Sequence, residues 1–323
     1  MRCYKHRLFY CLVLTLILIS GISAQEPQKD DKNSRKQRNA QTVTIPISIS
    51  EKKNGDDANR GELIQAGNIS IKENGEERKI LSLRSTTDSP LTLAILIQDD
   101  LSSNVNLELD GIRKFITNLP KGTRVGVGYL RAGSLQVRQK FTEDLDKAAK
   151  SLRILGSSST VAPANPYDGV LDTLKRFENQ PNGRRAILLI SDGLDTLRGI
   201  DSASPNQSID LNRAVLNAQR NGVAVYSIYA SATSTNSGNS LLVGYGQGSL
   251  QRLSDETGGR AYFQGFSTPV SFAPFLRRLD VVLSRQFALT YLSNNNGKDF
   301  RRIDVSSDNS EIKVEHPKGI SPK

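Results

Sequence analysis

Apolar residues recur along the chain in three rhythms, and each predicts a different element. Between Thr42 and Ser50 they alternate, Val43, Ile45, Ile47 and Ile49 against Thr44, Pro46 and Ser48, as in a strand with one buried face. The stretch from Ile69 to Leu83 predicts two more strands, joined at Asn74-Gly75, a pair suited to a tight hairpin turn. From Leu91 to Ile97 and from Ala186 to Ser191 the apolar run is nearly unbroken, which fits strands covered on both faces. Spacing of three and four marks helices. Leu109, Ile112, Phe115, Ile116 and Leu119 share one stripe that ends at Pro120, and Leu211, Ala214, Val215 and Ala218 share another that stops at Gly222.

Further strands are predicted at Arg124 to Leu130, Gln136 to Phe141, Val223 to Tyr229 and Arg260 to Phe263. Further helices are predicted after an N-cap at Thr142, and at Tyr167 to Phe177, Leu250 to Thr257 and Val270 to Ser284. Strands and helices thus alternate. The expected fold class is α/β, a doubly wound, mostly parallel sheet with helices on both faces. Late strands at Gln286 to Leu292, Arg302 to Val305 and Ile312 to Val314 are expected to pair with the early ones in a small β unit. The chain divides accordingly into N-terminal strands at 42–88, an α/β part at 89–293 and C-terminal strands with a tail at 294–323. Ser231 to Ser249, rich in Gly, Ser and Asn, reads as a mobile loop that contains Gly244-Tyr-Gly-Gln-Gly248.

One apolar run stands apart. Arg2, Lys5 and Arg7 precede Leu8 to Ile19, and small residues lead to Ala24 ahead of Gln25, the order of a secretory signal peptide. A dozen apolar residues fall short of the ~20 that a spanning helix needs, so cleavage after Ala24 is expected and no later segment could cross a bilayer. Residues 25–41 are charged and polar, the composition of a disordered leader. The expected location is secreted or periplasmic. Both cysteines, Cys3 and Cys11, fall within the signal peptide, so the mature chain offers neither a disulfide framework nor a cysteine nucleophile. The histidine left after cleavage, His316, lies in the polar C-terminal tail and is a poor start for a catalytic triad. Net charge is +10, of which three units leave with the signal peptide. The basic residues are scattered, and Arg184-Arg185, Arg277-Arg278 and Arg301-Arg302 form pairs rather than a stripe, which reads as solvated surface and argues against nucleic acid as a partner.

In a doubly wound sheet, ligands bind beyond the carboxyl ends of the central strands. The loops to examine are Gln98-Asp-Asp-Leu-Ser-Ser-Asn104 and Ser191-Asp-Gly-Leu-Asp195, with Gly156-Ser-Ser-Ser-Thr160 as a third. Their carboxylates and hydroxyls, with no His or Cys nearby, are hard oxygen donors suited to Mg²⁺, Mn²⁺ or Ca²⁺. The same residues also satisfy the bland reading, that they cap helices and tie loop backbone.

The apolar strand that ends in an acidic, hydroxyl-rich loop, the Thr-bearing loop and Ile187-Leu-Leu-Ile-Ser-Asp-Gly193 resemble the von Willebrand factor A domain with its metal-ion-dependent adhesion site. Ser254-Asp-Glu-Thr-Gly-Gly-Arg-Ala-Tyr-Phe263 and the early β region are similar to those of bacterial VWFA-related proteins. The resemblance spans Thr42 to Val314. It implies a binding module that holds a divalent cation through Asp-x-Ser-x-Ser, a Thr and an Asp, completed by a partner's carboxylate. Asp192 matches the last Asp, and Thr160 matches the Thr, with Ser157 to Ser159 as competitors in the same loop. The first element departs from the pattern. Gln98, Asp100 and Ser102 fill its places in one register, Asp99, Leu101 and Ser103 in the next, and Asp100, Ser102 and Asn104 in a third.

The expected function is therefore an exported, non-enzymatic binding module for a protein or a cell-envelope polymer, with Asp192, Asp100, Ser102, Thr160, Asp99 and Gln98 as metal-site candidates. Two alternatives remain: a metal-assisted hydrolase that uses Asp99, Asp100 and Asp192, and a purely structural envelope component.

Overall fold

The two unbroken apolar runs become the centre of a six-stranded sheet. This computed structural model describes residues 40–52, 69–85, 88–156, 165–232, 239–265, 271–294 and 299–321. The expected signal peptide, the polar leader up to residue 39, and Thr160 with Ser157 to Ser159 lie outside them.

In chain order the sheet contains β5 (Thr92–Gln98), β6 (Arg124–Arg131), β7 (Ser134–Thr142), β8 (Arg185–Ser191), β9 (Ala224–Tyr229) and β10 (Ala261–Tyr262). Their order across the sheet is β10-β9-β8-β5-β6-β7, with the edge strand β7 antiparallel and the rest parallel. The winding runs outward from β5 in one direction and then from β8 in the other. Its switch point therefore falls between these two strands, paired in register from Thr92 with Arg185 to Ile97 with Ile190. Every residue of β5, β8 and β9 is buried, as a sheet covered on both faces demands.

Alternation within β5 divides two cores. Leu93, Ile95 and Ile97 pack with α1 (Leu109–Thr117), α2 (Leu145–Lys150) and α6 (Ala273–Ser284). Ala94 and Leu96 face α3 (Pro166–Phe177), α4 (Ile209–Asn221) and α5 (Ser240–Thr257). Several helix ends follow the side-chain chemistry of the sequence. Ser208 caps α4 by accepting from Leu211 N at 3.1 Å, and Gly222 closes it with a left-handed φ of 60°. Asp144, rather than Thr142, caps α2, through an acceptor bond from Lys147 N at 2.9 Å; Thr142 still belongs to β7 and holds Asp144 N at 3.1 Å.

The terminal strands form the small β unit. β1 (Gln41–Glu51) pairs with β11 (Gln286–Ser293) and β13 (Ile312–Glu315), and β11 pairs in turn with β4 (Ile80–Arg84). A second sheet joins β14 (Gly319–Ile320), β12 (Arg301–Ser307), β2 (Ile69–Glu73) and β3 (Glu76–Glu77). The β2–β3 turn puts Asn74 and Gly75 at φ of 52° and 81°, the two positive angles of a type I′ hairpin. Ile45, Ile47, Ile49, Ile71, Phe287, Leu289 and Ile303 make the core of this unit.

Two expectations are corrected. The Gly-rich stretch read as a loop is helical from Ser240 onward, capped by Asn239, whose Oδ1 accepts from Leu241 N at 3.1 Å and Leu242 N at 3.3 Å. Its glycines are there for close packing: a methyl on Gly246 would collide with the Asp192 carbonyl, and one on Gly248 would meet Pro205. The Arg184-Arg185 pair, and Arg301 of the Arg301-Arg302 pair, are not solvated surface but buried. Arg185 donates Nε to Pro181 O at 3.0 Å and Nη1 to Asn221 O at 3.1 Å, the second a carbonyl at the end of α4, and Arg184 reaches the carbonyls of Ser89 and Leu283.

Candidate functional site

Gln98 is the last residue of β5 and Asp192 the first beyond β8, so the switch point sets them side by side. Gln98 Oε1 accepts from Ser191 Oγ at 2.5 Å and from Asp192 N at 3.1 Å, while Ser191 Oγ accepts from Gly193 N at 2.9 Å. Asp192 Oδ1 accepts from Leu194 N at 3.0 Å. A chain of hydrogen bonds thus stitches the end of β5 to the turn after β8. Tyr167 adds a lock from α3, donating to Gly193 O at 2.6 Å.

The loops after β5 and β9 meet over this point. Leu101 forms an isolated bridge with Ala232, and Ser102 N donates to Ser231 O at 3.0 Å. Since β8 lies between β5 and β9, the bridge spans its carboxyl end and leaves Asp192 only 4% exposed. Burial pushes the Asp192 carboxyl up to about 7, with the bond from Leu194 N opposing the rise, the charge of Asp100 adding to it and the nearby Gln98 side chain opposing it. Tyr229, another neighbour of that carboxyl, is pushed up to about 12, chiefly by its own burial.

The sequence candidates separate here. Gln98, Asp100 and Asp192 converge, and Ser102 is buried in the loop after β5 without capping the helical turn it precedes. Asp99 turns elsewhere: its Oδ1 pairs with Arg153 at 2.8 Å, and the Arg153 guanidinium stacks 4.2 Å over the Tyr129 ring. Thr160 is outside the described residues. His316 is engaged by backbone on both ring nitrogens, Nε2 accepting from Val305 N at 3.3 Å and Nδ1 lying 2.9 Å from Pro317 O.

These residues do not fit a divalent cation. Such an ion takes six to eight oxygen ligands, yet the one oxygen of the Gln98 side chain already accepts two bonds, and its Nε2 is a buried donor that forms no hydrogen bond of full geometry among the described residues. Among the described residues no three His, Cys, Asp or Glu side chains are placed to hold an ion.

Around this closed centre the polar loops carry several exposed apolar side chains. Leu107 and Ile154, exposed by 81% and 70%, stand on the loop after β5 and on the one before α3; Asn106 and Leu155 join these loops through bonds of 2.7 and 3.3 Å. Leu197, Ile200 and Ile209 follow β8, Leu241 opens α5 after β9, and Phe263 follows β10. Seven of the eleven large hydrophobic side chains exposed among the described residues therefore share the carboxyl end. Sequence reasoning passed over them because each is a lone apolar residue in a polar loop, without periodicity.

No family model and no curated protein matches the sequence. Solved structures do. The chain is similar in structure to von Willebrand factor A domains. A von Willebrand factor type A protein from Catenulispora acidiphila matches at 9% identity and a TM-score of 0.45, over 88% of this chain and 73% of that one. BatB from Bacteroides thetaiotaomicron, a conserved hypothetical protein, matches at 13% identity and 0.43, over 60% of this chain and 97% of its own. Proximal thread matrix protein 1 from the mussel byssus, solved with a zinc-occupied MIDAS motif, matches at 13% identity and 0.42, over 63% of this chain and 48% of its own. At such identities the likeness concerns the fold.

The raised Asp192 carboxyl makes a pH prediction. Folding holds its proton more tightly than the unfolded chain does, so its favourable contribution is complete below the usual carboxylate value of ~4 and is lost as pH rises through about 7. Asp192→Asn, which mimics the neutral acid, is expected to remove up to ~1.4 kcal/mol per pH unit of the decline in stability across that window. Burial also raises Asp168, Asp195 and Asp280, so part of the slope stays. Urea denaturation at a series of pH values checks this; an unchanged slope in the variant contradicts it.

Proposed function

We propose that the chain is an exported binding module that docks a protein partner on the carboxyl end of its six-stranded sheet. The observation that carries this reading is the concentration of exposed Leu, Ile and Phe side chains around the switch point. Exposed apolar residues gathered at one site, rather than scattered singly, mark interaction surfaces. Each buried at an interface would contribute about 1.5–3 kcal/mol. Beneath them, the stitched loops supply a preformed platform that needs little ordering on binding. A protein fits better than a small molecule. The groove of about 370 Å³ lined by Gly126, Gly128, Leu135, Phe141 and Arg176 contains none of these residues.

Export rests on the basic, apolar and small segments of residues 1–24. The described helices add one fact: none is long and apolar enough to cross a membrane. The hydrolase alternative draws less support, because Asp99 is committed to Arg153 and Asp192 is covered. Whether the module is free in solution or part of an envelope assembly, its partner meets the same surface.

The test is recovery of partners, identified by mass spectrometry, from envelope extracts of the native host. The baits are the wild type, Leu241→Asp and Leu81→Asp, all expressed in that host. Leu241→Asp keeps the fold because an acidic side chain suits a helix N-terminus, and Leu81 is an exposed residue of β4, outside the carboxyl end. Leu241→Asp is expected to reduce recovery about tenfold, whereas Leu81→Asp leaves it unchanged and the recovered bait begins at Gln25. Equal recovery by all three would instead favour a structural role, and a bait that retains residues 1–24 contradicts cleavage.

A further inference from the structure

We infer that Gln98 takes the place of a divalent cation at the switch point, so that this end of the sheet is held by hydrogen bonds and neither needs nor takes such an ion. The orientation of the Gln98 amide is fixed by its neighbours. Asp192 N–H can only donate, and so can Gly193 N–H, which engages Ser191 Oγ and leaves the serine hydrogen free to point at Gln98. The atom facing them must accept and is therefore Oε1; flipping the amide would set Nε2 donors against the donor of Asp192.

That orientation sends Nε2 toward the Asp192 carboxyl, close enough to lower its pKa but without the alignment of a full hydrogen bond. An N–H group cannot ligate a cation. It also occupies the side of Asp192 from which a carboxylate in the leading position would have worked. Among the described residues two further routes to an oxygen cage are also obstructed. Asp99 is held by Arg153, and the Leu101–Ala232 bridge closes the approach by which a partner's carboxylate would complete the coordination. What an ion would supply, a link between the ends of β5 and β8, is already made by the two bonds to Gln98 Oε1.

The inference concerns what holds the site and stands apart from the identity of any partner. Its test uses the full chain in Mg²⁺, Mn²⁺ or Ca²⁺ and in EDTA, reading the melting temperature and the heat of ion binding. The wild type is expected to melt at one temperature in all conditions and to release no heat. Gln98→Glu keeps the shape and Oε1 but replaces the N–H donor with an oxygen beside Asp192 and Asp100. It is expected to melt lower than wild type in EDTA and to recover by several degrees in Mn²⁺ or Mg²⁺. A wild type that is stabilised by the ions, and loses the response in Asp192→Asn, overturns the inference. So does a folded Gln98→Glu that ignores the ions, since Gln98 would then not be the residue that keeps them out. The wild-type arm decides even if Gln98→Glu does not fold.

Discussion

Gly246→Ala is expected to destabilise the protein by about 2–4 kcal/mol, although it places the best helix former inside a helix. Helix propensity alone favours the change by about 1 kcal/mol. Against it, the new methyl lands on the carbonyl of Asp192, and the two backbones must separate where α5 crosses the turn after β8. The same contact is held from the other side by Gly193, whose φ of 70° and own lack of Cβ let it sit under Gly246 O. Gly244 lies two residues earlier in the same helix with nothing within 4 Å of its Cβ position, so Gly244→Ala is expected to stabilise by about 0.5–1 kcal/mol. Urea denaturation of the two variants separates packing from propensity: opposite signs are expected, and equal gains would show that the close approach is not maintained.

That helix is also where the sequence misled. Gly244-Tyr-Gly-Gln-Gly248 carries a loop's composition, and the need for glycine at position 246 comes from the backbone of Asp192, some fifty residues earlier in the chain. Where the deciding interactions are local, the sequence was readable. The unbroken runs at Leu91 and Ala186 became central strands, Gly222 became a left-handed stop, and Asn74-Gly75 became a hairpin turn. Where they are distant, it was not. Arg153 claims Asp99 from beyond β7, and Arg184 and Arg185 are drawn inward by carbonyls at helix ends. For the site, the meeting of Gln98 and Asp192 could be foreseen from the strand order. The bonds that turn Gln98 from an imperfect ligand into a bridge required the geometry.

The second large effect lies in the β unit. Glu73 is 1% exposed at the end of β2, where Arg301 Nη1 approaches it at 3.2 Å, Arg78 Nε at 3.1 Å, Ser293 Oγ at 2.9 Å and Tyr291 Oη at 3.2 Å. The network joins the two small sheets, since Ser293 and Tyr291 belong to β11 and Arg301 to β12. Glu73→Ala would strand the buried Arg301 charge, and breaking one side of such a pair costs about 3–5 kcal/mol. The melting temperature is expected to fall by about 10 °C. Glu76→Ala removes a carboxylate that is 74% exposed and also pairs with Arg78, and should cost under about 1 kcal/mol. Comparable losses in the two variants would mean that the buried network is not what joins the sheets.

The platform and the surface it presents are separable. Gln98, Asp192 and Gly246 set the shape of the carboxyl end from beneath, whereas Leu107, Leu197, Ile200 and Leu241 face outward and are free to be covered. The most direct test of the central claim is site-specific photo-crosslinking in the native host, with a photoreactive amino acid at position 241 or at position 81. The account predicts a discrete protein adduct from position 241 and none from position 81. An adduct from position 81 alone, or none from either, would contradict a docking surface at the carboxyl end of the sheet.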